Sequence, residues 1–328
     1  MSLPDFFVVG VPKGGTTALH ALLAQHPGIY LSPVKEPKFY LCAGGPPPRS
    51  TQRGPGDAHS AREWMWRRAR YEALFEAAPP GVPRGESTPF YLYDRTAHAR
   101  MAHDVPDAKI IAVLRDPVDR AYSNWNHLRA DGLEPVPDFL AALALEDERV
   151  ARGWAPFWHY RRLGRYAEQL RSLYAHFPRD QVLLLRYREL VDEPVATLTR
   201  VDQFLGVAQQ DARVVKPENV HPYVGDSARV RALGGVVRAG AQLGSFLAPQ
   251  VWRAVDGPLL KALHRNGTRR PRLTAEQRAV ALEGLADDIR ELEQVTGRSY
   301  GDWLGLTGAG DFVRRHLPNQ RTELRHDA

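Results

Sequence analysis

The chain has 328 residues, 43% of them hydrophobic, with a formal net charge of +6 and one cysteine. That is enough apolar matter for one large core, and the positive balance suits anionic ligands. The basic residues are dispersed, with no run beyond Arg269-Arg270-Pro271-Arg272, which speaks against a nucleic-acid stripe, and the lone Cys42 excludes an intramolecular disulfide. A single thiol fits a reducing compartment. The first apolar run is too short to cross a bilayer and has no charged region before it, so a soluble cytoplasmic chain without membrane insertion is expected.

Phe6-Phe7-Val8-Val9-Gly10-Val11 reads as a buried parallel strand. It runs into Pro12-Lys13-Gly14-Gly15-Thr16-Thr17, and a helical pattern follows from Ala18. Strand, glycine turn and helix start make an anion cradle, because unpaired N–H groups and the helix dipole both point at the ligand. Gly14 and Gly15 allow close backbone approach, and Lys13 adds a full charge. Thr16 and Thr17 are expected to add hydroxyl donors and to cap the helix. A Walker A loop has its lysine directly after the last glycine. Here the lysine precedes the glycine pair, so the magnesium–triphosphate signature is broken.

Ile29-Tyr30-Leu31 is a second, short strand, and the loop 32–40 after it carries Lys35, Glu36 and Lys38. Residues 43–60 read as a surface loop, and 61–77 as a helix with Trp64, Trp66 and Phe75 in packing roles. Residues 109–114 are a buried strand, after which Asp116 and Pro117 open a helix as N-cap and first turn. A helix is expected over 165–177, a strand over 181–186, and a helix over 194–205 with Leu198, Val201 and Leu205 on one face. The last third reads as helical. Residues 228–264 carry Leu233, Val236, Val237, Leu243, Phe246 and Leu247 on a face expected to pack inward rather than to form an acceptor platform or a membrane-facing patch. Thr274 and Gln277 form a capping box for a helix whose stripe is Leu282, Leu285, Ile289 and Leu292, ended by Gly297, and residues 308–328 fray.

Strands alternating with helices predict an α/β fold, a P-loop-like parallel sheet flanked by helices on both faces with a helical C-terminal portion. One domain is expected over 1–328, with a nucleotide-binding core at 5–206 and a helical part at 207–304 that shapes an acceptor pocket. Ligands in such sheets sit at the carboxyl ends of strands. Gly10 to Thr17 and Arg115 to Ser123 both fall there, so two anion-suited loops would grip one ligand with two phosphate groups.

These segments resemble the sulfotransferases that use 3′-phosphoadenosine 5′-phosphosulfate (PAPS), in particular the heparan sulfate N- and 3-O-sulfotransferase branch and its bacterial relatives. Pro12 to Thr17 is similar to the family's 5′-phosphosulfate loop. Ile111-Ala112-Val113-Leu114-Arg115-Asp116-Pro117 with Ser123 is similar to its 3′-phosphate motif. Lys35-Glu36-Pro37-Lys38-Phe39-Tyr40, Gly85-Glu86-Ser87-Thr88-Pro89-Phe90-Tyr91 and the stretch from Gly164 to Gly206 extend the likeness over residues 5–206, and it continues more weakly over 266–304.

The resemblance implies in-line transfer of a sulfuryl group from PAPS to a hydroxyl of a small metabolite, glycolipid or sugar, leaving PAP. The leaving group is a phosphate, so no metal is required. Lys13 would balance charge on the bridging oxygen, with Gly14, Gly15, Thr16 and Thr17 around the 5′-phosphosulfate. Arg115 and Ser123 would hold the 3′-phosphate, with Tyr166 in the donor-binding set. Glu36 would be the base, with Glu86 and His127 as alternatives. His20 is expected to pack, and His98 and His103 to face solvent. The heparan enzymes have His where this chain has Lys38, and a lysine tied to sugar-carboxylate binding where it has Ser87, so a heparan-type polysaccharide is not the expected acceptor. Their late Lys-Gly-Arg loop has no recognisable counterpart, and Arg229 or Arg231 would take its place. Two other readings are a P-loop phosphotransferase and a non-catalytic nucleotide-binding module.

Overall fold

The computed structural model describes residues 2–46, 54, 64–210, 213, 222–244, 259–265 and 267–305, with 241–244 described by backbone alone. Most of the loop predicted at 43–60, Phe246, Leu247 and the tail at 308–328 lie outside the described residues. In chain order the elements are β1 (Phe6–Val8), α1 (Thr16–Leu23), β2 (Tyr30–Leu31), α2 (Arg68–Glu72), β3 (Arg84–Ser87), α3 (Arg95–Asp104), β4 (Lys109–Leu114) and α4 (Pro117–Ala130). There follow α5 (Phe139–Ala144), α6 (Glu146–Ala151), α7 (Tyr166–Tyr174), β5 (Val182–Arg186), α8 (Tyr187–Asp192) and α9 (Pro194–Leu205). The C-terminal part holds α10 (Ala228–Gly244), α11 (Ala275–Leu282) and α12 (Ala286–Thr296).

The five strands form one parallel sheet in the order β2-β3-β1-β4-β5. The pleat sends alternate side chains to opposite faces. Phe6, Val8, Ile111 and Val113 meet Leu19, Leu22, Leu198 and Val201 of α1 and α9 on one face. Phe7, Ile110, Ala112 and Leu114 meet Met101, Val118, Leu128 and Leu170 of α3, α4 and α7 on the other. Helices therefore cover both faces, as the alternation of elements predicts.

Strand β3 has no apolar signal in its sequence, Arg-Gly-Glu-Ser. It sits between β2 and β1 because Gly85 leaves room for a core ring. A Cβ built there would lie 2.1 Å from Cζ of Phe6, which is fully buried. Gly85→Ala is accordingly expected to cost about 3 kcal/mol, the upper end for overpacking a close-packed core. Denaturant melts of the two chains would measure it, and equal midpoints would refute this account.

Three expectations change. The helix predicted over 61–77 shrinks to α2 and a 3₁₀ turn at Ala73–Phe75. The Met65 N–H donates to the Pro37 carbonyl at 2.9 Å, so residues 64–67 run beside the 32–40 loop instead of closing helical bonds. The Thr274–Gln277 capping box and the Gly297 stop both form, but Gly284, at φ 75°, divides the intervening helix into α11 and α12. His98 is buried rather than solvated, with Nδ1 2.9 Å from Ser172 Oγ in α7, while His103 is exposed as predicted.

Candidate functional site

β1 and β4 are neighbours, yet α1 and α4, which follow them, cover opposite faces of the sheet. Their leading loops therefore diverge and open a crevice at the carboxyl ends of the strands. Lys13 sits in that crevice with a left-handed backbone, φ 68°. The Arg115 guanidinium donates to the Lys13 carbonyl at 3.0 Å, which ties the two loops together. Asp116 caps α4 by accepting from the N–H groups of Val118 and Asp119, both at 3.0 Å, as predicted. Arg115 has no pairing with Asp119, which meets Arg278 at 3.5 Å instead.

Gly15, at φ 94°, is the N-cap of α1 and no side chain caps the helix. This corrects the capping role expected of Thr16 and Thr17. Both already lie inside the first turn, and a residue with helical φ and ψ cannot be the N-cap. The N–H groups of that turn have no intrahelical partner. Thr16 and Thr17 line a cavity of about 270 Å³ together with Lys13, Glu36, Ser123 and His127.

The Lys13 amine lies 3.1 Å from His127 Nδ1, and His127 Nε2 lies 3.3 Å from an Asp131 carboxylate oxygen. A neutral His127 that donates from Nε2 to Asp131 leaves Nδ1 to accept from the Lys13 ammonium. Burial pushes the Lys13 amine down to about 8; Asp131 opposes this, and Arg115 and Arg270 add to it. Glu36 also has a left-handed backbone, φ 59°, and its N–H donates to the Ser87 carbonyl at 3.1 Å. Its carboxylate accepts from Lys35 at 2.6 Å.

Glu86, an alternative base in the sequence reading, is fully buried and lines none of the cavities described here. Tyr71 and Thr88 donate to it at 2.6 Å and Tyr91 at 2.9 Å, and burial raises its carboxyl to about 7. The same groups reach the Glu36 loop. Thr88 Oγ1 accepts from Lys38 N–H at 3.4 Å and Tyr91 Oη from Tyr40 N–H at 3.2 Å. The buried carboxylate thus organises the loop from below. His20 packs under it with Nδ1 2.9 Å from Ser87 Oγ, and burial lowers its imidazole to about 4.

Past Lys13 the cavity continues through Arg115, Ser123 and Tyr187 into a groove of about 600 Å³. The Arg115 guanidinium stacks 4.7 Å from the Tyr187 ring centre. The far wall is the stretch Thr268 to Leu273. Tyr223 and Thr268 pin it by exchanging backbone hydrogen bonds of 2.8 and 3.0 Å. Arg270 lies 4.5 Å above the ring of Tyr122, and burial and the nearby Arg115 lower its pKa. Sequence reading missed this wall, although its signal, the basic run Arg269-Arg270-Pro271-Arg272, stands in the sequence.

Arg229 does not reach the groove. It is exposed and lines a separate hollow of about 310 Å³, and Arg231 is exposed and pairs with Asp226 at 2.8 Å. The late cations at the groove are Arg269, Arg270, Arg272 and Arg278, and the Tyr223–Thr268 bridge brings 268–273, not 229–231, to its wall. Tyr166 is fully buried beneath the Arg115 loop, and its hydroxyl donates to the Arg115 carbonyl at 2.8 Å.

On the opposite side of Glu36 a chamber of about 710 Å³ is lined by Lys38, Trp64, Phe90, Tyr93 and Phe157, among others. Phe90 and Phe157, whose ring centres are 6.0 Å apart, line both this chamber and the Lys13–Glu36 cavity. The described residues lining the chamber all precede 169, whereas the described C-terminal part contributes to the basic groove. Among the described residues no three His, Cys, Asp or Glu side chains gather to hold a metal ion, and no helix is long and apolar enough to cross a membrane.

Comparison with known proteins agrees with this architecture. Mouse heparan sulfate glucosamine 3-O-sulfotransferase 3B1 is 32% identical over 206 residues, which are 62% of this chain and 46% of that protein. Mouse bifunctional heparan sulfate N-deacetylase/N-sulfotransferase 4 is 33% identical over 217 residues, 62% of this chain and 22% of that one. The chain thus spans less than half the length of these relatives. The crystal structure of a sulfotransferase from Alicyclobacillus acidocaldarius superposes with a TM-score of 0.71 at 28% identity, covering 93% of this chain and 100% of the other. Residues 4–211, well over half the chain, match the model of the Sulfotransferase family, and the chain belongs to that family.

Proposed function

We propose that this protein transfers a sulfuryl group from PAPS to a hydroxyl of a compact acceptor, a small metabolite, glycolipid or sugar. The observation that carries this reading is the joining of Lys13, Arg115 and Glu36 by one continuous cavity, with a basic groove on one side and an aromatic chamber on the other. In it the 3′-phosphate lies in the groove, between Arg115, Ser123 and Arg270. The 5′-phosphosulfate lies against the first turn of α1, where N–H groups and the helix dipole meet its charge. Tyr166 acts from below by fixing the Arg115 loop.

In the transfer step the acceptor oxygen forms a bond to sulfur as the bond from sulfur to the bridging phosphate oxygen breaks. The electron pair stays on that oxygen, which leaves as the 5′-phosphate of PAP, and the acceptor proton passes to Glu36. The Lys13 ammonium faces the oxygen that gains charge, where a preorganised donor contributes most. The burial of Glu86, away from the cavity that Glu36 lines, supports Glu36 as the base.

The test is a calorimetric titration with adenosine 3′,5′-bisphosphate against ADP. The bisphosphate is expected to bind far more tightly. Arg115→Ala is expected to weaken it about 10–100-fold, the worth of a charge-assisted hydrogen bond, while barely changing ADP. Equal affinity for the two nucleotides would end this reading.

A further inference from the structure

Lys13 must keep a proton and a fixed aim in surroundings that favour neither. Burial and the cations Arg115, Arg270 and Lys35 disfavour its charge, and Asp131 favours it. Its flexible stem lets the ammonium wander unless a neighbour holds it. The 32–40 loop brings Glu36 to the same cavity, where its carboxylate accepts from Lys35 at 2.6 Å. The first turn of α1 brings the hydroxyls of Thr16 and Thr17 and no charge.

The hold on the amine comes from α4. His127 and Asp131 stand one turn apart on it and share a face. The imidazole meets the Phe157 ring edge-on, with centres 5.3 Å apart and planes at 85°, which restricts its rotation. Its Nδ1 lies 3.1 Å from the Lys13 amine and its Nε2 3.3 Å from the Asp131 carboxylate. An imidazolium would repel an ammonium at such a distance, so a charged Lys13 goes with a neutral ring whose proton sits on Nε2. Asp131 accepts that proton's hydrogen bond and thereby selects the tautomer that leaves Nδ1 as acceptor. One N–H of the ammonium then points at His127, and two are directed elsewhere in the cavity. At the backbone end the Arg115 guanidinium holds the Lys13 carbonyl at 3.0 Å. Lysine is thus gripped at both ends of its side chain.

We propose that His127 and Asp131 are positioning residues for the transfer step, which together hold the Lys13 ammonium protonated and aimed at the bridging oxygen of the donor. This rests on the sulfotransferase reading for the identity of that oxygen. Both act through Lys13, and the acceptor proton still passes to Glu36.

The test has two readouts, the pH profile of PAP binding by calorimetry and the transfer rate from radiolabelled PAPS at saturating donor. Asp131→Asn removes the charge and keeps the shape of a partly exposed side chain. It is expected to move the fall in PAP affinity down from about pH 8 by roughly one pH unit, so that at about pH 8 the variant binds about fivefold more weakly than the unmodified chain. In the Lys13→Arg background, where the cation keeps its proton, the same substitution is expected to leave the profile flat. His127→Leu is expected to lower the transfer rate about tenfold or more, the worth of a hydrogen bond to a charged group. His127→Asn places a carbonyl oxygen near the position of Nδ1 and is expected to recover most of that rate. Should His127→Leu fail to fold, the Asp131→Asn profile decides alone.

An unmoved profile in Asp131→Asn overturns the proposal, as does a shift that persists in the Lys13→Arg background. So does a His127→Asn chain no faster than His127→Leu, which is the result a proton-accepting histidine gives, since asparagine takes no proton. Equal affinity of the unmodified chain for PAP and ADP would overturn the donor reading instead.

Discussion

Glu36→Gln is expected to lower the rate of sulfuryl transfer by about 10²- to 10⁴-fold, the usual worth of a positioned general base. Glutamine keeps the shape of the side chain and still accepts a hydrogen bond, but it cannot take the acceptor proton. Affinity for PAP is expected to stay as it is, because in the proposed arrangement the Lys13 loop and the basic groove, not Glu36, hold the donor. Steady-state transfer from radiolabelled PAPS, together with a PAP titration on the same preparation, separates the two effects. A variant that transfers at the unmodified rate would move the base to His127, which lines the same cavity. A variant that loses PAP binding would instead give Glu36 a structural part in the donor site.

The second large effect belongs to Lys13. Lys13→Met is expected to lower the transfer rate by about 10²- to 10³-fold, as the loss of one preorganised donor to a developing oxyanion does. Its pH dependence has a definite sign. Burial holds the free amine at about 8. It is charged below that value and loses its proton as pH rises through it, and only the charged form answers a phosphate. PAP affinity should therefore be full below about pH 8 and fall above it, by up to about tenfold for each pH unit. Lys13→Arg keeps its charge throughout this range, so its profile should stay flat. Binding titrations from about pH 7 to about pH 9 check this. A wild-type profile as flat as that of the arginine variant would remove Lys13 from the phosphate site.

Backbone strain collects at these same positions. Lys13, Glu36 and Lys38 are the non-glycine residues with positive φ among those described. Each costs about 1–3 kcal/mol and persists only where the surroundings over-determine it. For the Glu36 loop the surroundings are the buried Glu86 carboxylate and its three hydroxyl donors, which hold Thr88 and Tyr91 where they can accept from the N–H groups of Lys38 and Tyr40. For Lys13 it is the Arg115 guanidinium on its carbonyl. The site is stiff because ordinary core chemistry lies directly beneath it.

Local physics was enough for much of this protein. The buried runs at 6–8, 109–114 and 182–186, the Asp116 and Thr274 caps and the Gly297 stop depend on near neighbours in the chain, and all are legible from residue order. So is the Lys13 turn, since a strand, two glycines and a helix start define it. Strand β3 was not legible, because its reason for existing is the Phe6 ring lying over Gly85. The short α2 was hidden for a similar reason, since the 32–40 loop draws residues 64–67 away from the local helical pattern, whereas the break at Gly284 is local, a glycine at φ 75°. At the site, residue order named Lys13, Glu36, Arg115 and Ser123 as candidates and put Glu36 ahead of Glu86 only through the resemblance. The burial of Glu86 supports that order, and burial is a property of the whole fold. Arg270 rather than Arg229 came to the groove through a backbone bridge between Tyr223 and Thr268, two residues whose side chains carry no signal of it. Pairings between remote segments are decided by how the packed layers fit, and only the tertiary structure holds that information.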